Sequence, residues 1–116
     1  MESEILIKLE SMGCDMKGAM GRFVDDEELY LSFLGQVIDD PAFVSLGEGI
    51  EEKDVRKAFE SAHSLKGTIG NMGLTPLYNR IVEIVEPLRA GSLEGIPEKY
   101  STLIAERDDL KKKLGY

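Results

Sequence analysis

Apolar residues recur at helical spacing along almost the whole chain, and no segment sustains the alternation that a half-buried strand needs. The pattern predicts an all-α protein. Ile5, Leu6, Leu9 and Met12 mark the inner face of a first helix from about Glu2 to Met12, which Gly13 stops. A short turn of helix follows near Lys17–Arg22. Asp25 or Asp26 then caps a longer helix with acidic residues in its first turn. Its inner face carries Leu29, Tyr30, Phe33, Leu34, Val37 and Ile38. Asp40-Pro41 reads as another helix start, so Pro41 to Gly49 is expected to be a short helix or an irregular connector.

The next long helix is predicted from near Asp54 to near Met72, with Gly73 as a left-handed stop. Thr75-Pro76 starts another, running to about Ala90 with Gly91 behind it, on a stripe of Leu77, Ile81, Ile84, Val85 and Leu88. Pro87 near its end is expected to bend or shorten it. Ile96-Pro97 starts the last helix, with Tyr100, Leu103, Ile104, Leu110 and Leu114 inward. Lys111, Lys112 and Lys113 in its final turn suit the helix dipole. Short connections favour antiparallel neighbours. The expectation is an up-and-down antiparallel four-helix bundle with an additional N-terminal helix, one domain over residues 1–116.

Composition narrows the function. The net charge of −8 disfavours nucleic acid and anionic membrane surfaces, both of which need a basic face. No apolar stretch approaches membrane-spanning length. Cys14 is the single cysteine, so no internal disulfide can form, and the acidic N-terminus lacks the pattern of a secretory signal. A cytoplasmic location is expected, with Cys14 a buried or partly buried thiol.

The chain has one histidine, His63. On a helix Gly67 falls about 40° to one side of it and Gly70 about 20° to the other, with Lys66 about 60° away. Each glycine inside a helix costs about 1 kcal/mol relative to alanine. Val55, Ala58, Phe59, Ala62, Leu65, Ile69 and Met72 form the apolar stripe of this helix, and His63 falls about 120° from its centre. Its neighbours on the wheel are Arg56, Glu60, Gly67 and Gly70, so the imidazole faces a polar surface with gaps in it. An idle surface histidine fits this placement as well as a functional one does.

One histidine and one distant cysteine give no metal-ligand cluster. Ser64 points about 100° from His63, too far round to be a partner nucleophile. A lone imidazole can itself be the nucleophile, because its neutral form offers a ring-nitrogen lone pair near neutral pH. It could accept a phosphoryl group and release it. Lys66 would offset the phosphoryl charge, and the missing side chains at Gly67 and Gly70 would admit the donor's active site.

His63-Ser64-Leu65-Lys66-Gly67, followed by Gly70-Asn71-Met72-Gly73, resembles the signature of the histidine-containing phosphotransfer (HPt) family. The likeness extends to Phe59-Glu60-Ser61-Ala62 and to Leu74 through Gly91. The resemblance implies that His63 is phosphorylated on its outer ring nitrogen and that Lys66 helps hold the phosphoryl group. It implies that Gly67 leaves room for the partner, and Arg56, Glu60, Ser64 and Gly70 around it are expected to belong to the same partner surface. The partners implied are response-regulator receiver domains and a sensor or hybrid histidine kinase. No kinase activity and no resident cofactor are expected, magnesium belonging to the receiver, and the protein is expected to be a monomer. One departure is that Val85 follows Ile84 where many members carry glutamate, with Glu86 one residue later. The competing expectations are a docking module that never takes phosphate, and a structural bundle with a fortuitous histidine.

Overall fold

A computed structural model describes residues 3–116, and within them every regular element is an α-helix. The elements are α1 (Glu4–Ser11), α2 (Met16–Arg22), α3 (Glu27–Ile38), α4 (Ala42–Glu51), α5 (Val55–Asn71), α6 (Thr75–Arg89) and α7 (Ile96–Leu114). The expected start of the first helix at Glu2 lies outside the described residues. The helix beginnings use two devices. Ser3, Asp15, Asp26 and Asp54 cap α1, α2, α3 and α5, each side chain accepting a hydrogen bond from the backbone N–H three residues on. Prolines stand at the starts of α4, α6 and α7, where a missing N–H is harmless.

The segment expected as a short helix or connector is the ten-residue helix α4. Its glycines are packing sites rather than breaks. A side chain at Gly49 would sit 2.7 Å from the backbone nitrogen of Ala58 in α5, and one at Gly47 would strike the Tyr100 ring of α7. Glycine therefore lets α4 approach both neighbours.

Helix α4 packs on α5, α5 on α6, α6 on α7, and α7 closes back against α4. Helices α3 and α4 together run antiparallel along α7. Tyr116 reaches the Leu31 carbonyl, Lys111 pairs with Asp39 at 2.7 Å, Arg107 donates to the Ile38 carbonyl, and Tyr100 donates to the Phe43 carbonyl. Asp40 and Pro41 lie at the break between α3 and α4 on this side of α7. Pro87 does not shorten α6, which continues to Arg89.

The buried side chains form one cluster drawn from all seven helices. Helices α1 and α2 close one end of it: Leu6, Leu9, Met16 and Ala19 are buried, and the Asp15 N–H donates to the Gly73 carbonyl in the α5–α6 turn. The inward faces follow the expected stripes with two corrections in α3. Leu29 and Phe33 are 41 % and 43 % exposed. The α3 stripe is wider than the face its neighbours cover, and these two lie on its rim, where Phe33 packs against Phe23 instead.

Candidate functional site

Helix α5 carries the candidate histidine on a fixed scaffold. Its inner face, Ala58, Ala62, Leu65 and Ile69, is fully buried. Its last carbonyls lie beyond the regular helical hydrogen bonds, and the Gly70 carbonyl also accepts from the Gly73 N–H at 3.1 Å. Arg22 of α2 donates to the Gly70 and Asn71 carbonyls at 3.1 and 3.0 Å, and the buried Tyr30 hydroxyl of α3 donates to the Met72 carbonyl at 2.8 Å. The helix is thus held along its length by α4 and α6 and at its end by α2 and α3.

His63 lies on the exposed side of this helix, in its middle. Ser64 and Gly67 are exposed beside it. A side chain added at Gly67 would have no neighbour within 4 Å, so the surface beyond the imidazole is open. Gly70 is different. The Tyr78 ring of α6 lies 3.2 Å from where its side chain would begin, so the gap at Gly70 is filled from within. The clearance expected at both glycines exists at Gly67 alone.

Lys66 is half-buried. Arg56 pairs with Glu60 at 3.1 Å, and Lys57 pairs with Glu48 and Glu52, whereas Lys66 has no carboxylate partner among the described residues. Side chains on a helix lean toward its N-terminus, so Lys66 leans back toward the turn bearing His63. Arg56 and Glu60 are exposed and satisfy one another on the rim of the same face.

Two groups near the imidazole were not anticipated. Phe59, read from sequence as an inward residue, is half-buried and stacks on His63 with ring centroids 5.6 Å apart and planes 15° from parallel. The Arg89 guanidinium of α6 lies over the same Phe59 ring, 5.2 Å from its centre. The four-residue spacing of Phe59 and His63 was the available signal, since it puts both on one face. Arg89 had none, because its place depends on how α6 packs.

Gly70 against Tyr78 and Phe59 against Arg89 fix the register of α5 and α6. Between these pairs His63 falls level with Val85, which is wholly buried. The departure from glutamate at that position thus leaves an apolar group there. On the other flank, the crossing of Gly49 with Ala58 puts Val44 of α4 about level with His63, and Val44 is 63 % exposed. The imidazole thus has the Phe59 ring on one side and open helix surface toward Gly67.

No group of three His, Cys, Asp or Glu side chains able to hold a metal ion occurs among the described residues. None of the described helices is long and apolar enough to cross a membrane. No curated protein and no solved structure gives a significant match to the chain. The family described as Hpt domain matches residues 20–113, which takes in everything from the end of α2 to the last turn of α7. With its histidine on the outer face of a packed helix and that match over most of its length, the chain belongs to the Hpt domain family.

Proposed function

We propose that this chain is a phosphorelay intermediate, taking a phosphoryl group from the phosphoaspartate of one receiver domain and passing it to an aspartate of another. The outer nitrogen of neutral His63, Nε2, attacks phosphorus. The N–P bond forms as the aspartyl O–P bond breaks, and the carboxylate leaves with the electron pair. Reversal at a second receiver returns the imidazole unchanged. The observation that carries this proposal is His63 exposed on α5 beside Gly67, with open space where a side chain would stand. A visiting active site can reach the ring nitrogen along that side. Lys66, without a carboxylate partner, would offset charge on the phosphoryl oxygens. Magnesium is expected on the receiver, where it would neutralise the same oxygens.

The chain would need no kinase activity of its own, since the energy resides in the incoming acyl phosphate. A sensor or hybrid histidine kinase would lie upstream. The helix arrangement supports an up-and-down four-helix bundle in which α3 and α4 form one arm and α1 and α2 cap an end. Action as a monomer in the cytoplasm belongs to the same proposal.

The test is incubation with a phosphorylated receiver domain, followed by assay for acid-labile, base-stable phosphate on this chain. Wild type should acquire it and His63→Gln should not. Lys66→Ala should slow transfer about 10-fold, a smaller effect than loss of His63. Label retained by His63→Gln would overturn the assignment. Receiver binding with no label on wild type would instead favour the docking module.

A further inference from the structure

The imidazole makes no side-chain hydrogen bond among the described residues, and α6 presents it with buried Val85 at its own level. Its orientation is nevertheless defined, by the flat contact with Phe59. We propose that Phe59 is a positioning residue for phosphoryl transfer, holding the His63 ring plane for attack, with Arg89 fixing Phe59 in turn. The proposal rests on the phosphotransfer function above and deepens it.

The physical reason lies in the nitrogen lone pair, which is directed in the plane of the imidazole. Attack on phosphorus must be nearly in line with the breaking O–P bond. A ring free to turn about its Cβ–Cγ bond would spend much of its time with the lone pair off that line. Terminal torsions of this kind are broad, so neighbours must supply the restriction. Phe59 precedes His63 by one turn, and the backward lean of helix side chains brings the imidazole alongside it in an offset stack. Nearly parallel planes remove the twist, while the edge of the ring stays free for a partner on the Gly67 side. Phe59 is held in its turn. It is half-buried between α5 and α6, and the Arg89 cation lies over its face, where the ring quadrupole attracts it. Glu86 pairs with Arg89 at 3.5 Å and steadies the guanidinium. Helix α6 thus orients the nucleophile through an aromatic contact, not through a hydrogen bond.

A purely structural Phe59 would affect folding stability and nothing else. A positioning Phe59 makes different predictions. In rapid-quench transfer from a phosphorylated receiver domain, Phe59→Leu should lower the rate at saturating receiver about 5- to 10-fold while leaving half-saturation within about 2-fold, since misplacement of a reacting group slows chemistry more than docking. Phe59→Tyr keeps the ring and should recover most of the rate. Arg89→Gln should give an intermediate loss.

The single histidine supplies a readout independent of transfer, because its imidazole carbon-bound protons give the only histidine signals in an NMR spectrum. In wild type these protons should carry a ring-current shift from Phe59, which Phe59→Leu removes and Phe59→Tyr preserves. Circular dichroism of each variant checks that it is folded. If wild type takes no phosphoryl group, the phosphotransfer function falls and this proposal with it. If wild type is labelled, but a folded Phe59→Leu transfers at the wild-type saturating rate or leaves the His63 signals unmoved, positioning by Phe59 is wrong while phosphotransfer stands.

Discussion

Two glycines one turn apart carry opposite meanings. Gly67 faces open space, and Gly70 faces the Tyr78 ring. A helical glycine with free surroundings gains from a methyl group, so Gly67→Ala should stabilise the protein by about 1 kcal/mol, visible as a rise of a few degrees in Tm. Gly67→Leu should keep that stability yet slow transfer from a receiver, because the bulk stands in the approach to His63. Gly70→Leu should do the reverse in stability, losing about 1–3 kcal/mol as Tyr78 is displaced. Thermal melts combined with transfer assays on the three variants separate clearance for a partner from clearance for the fold. The same distinction holds for Phe59. Its chemistry suits a core position, yet part of its ring serves as the surface on which His63 lies.

Helix α4 illustrates what a segment pattern can and cannot carry. Gly47 and Gly49 weaken it as an isolated helix by about 1 kcal/mol each, and that local weakness is why the sequence reads as either helix or connector. Close packing on Ala58 and Tyr100 reverses the balance. Gly49→Ala should therefore destabilise the fold by about 1–3 kcal/mol despite its better helix propensity, because the nearest obstacle is rigid α5 backbone. The turn after α4 offers the opposite change. Lys53 has φ of 57°, a left-handed conformation that L-residues adopt at a cost of about 1 kcal/mol. Lys53→Gly should recover up to about that amount in urea unfolding. The ends of α5 and α6, by contrast, are legible because Gly73 and Gly91 occupy their left-handed positions, at φ of 71° and 83°.

At the scale of the molecule, stability and the site are physically separated. His63 is about two turns of helix, roughly 10 Å, from Gly70, beyond which α2 and α3 secure the end of α5. That end holds the groups whose titration matters most. Burial pushes the Cys14 thiol up from 9.0 to about 11, partly countered by a hydrogen bond from the Thr75 backbone. Burial also raises the Tyr30 hydroxyl, and negative charge on Cys14 would raise it further. Both groups are held neutral in the fold. As pH rises past about 9 the unfolded chain loses the Cys14 proton first, so it binds fewer protons than the native state and stability falls. The contribution is fully present below pH 9.0 and is lost as pH rises through about 11. Its full size is on the order of 2–3 kcal/mol. Urea midpoints at pH 7 and pH 10.5 should therefore differ more in wild type than in Cys14→Ala.

What the sequence alone determined is local and periodic. Apolar spacing assigned the long helices and most of their inner faces, Asp54, the Asp25-Asp26 pair and the prolines marked their starts, and helical angles put His63, Lys66 and Gly67 on one outward surface. All of that follows from 3.6 residues per turn and the conformational limits of single residues. Tertiary structure decided whatever depends on two elements meeting. It laid α3 and α4 along α7, turned Gly70 toward Tyr78, left Leu29 and Phe33 on a rim, and brought Arg89 over Phe59. Those outcomes depend on the register and spacing between helices. Helix spacing follows from side-chain volumes packed across the interface, and no single stretch of chain encodes that.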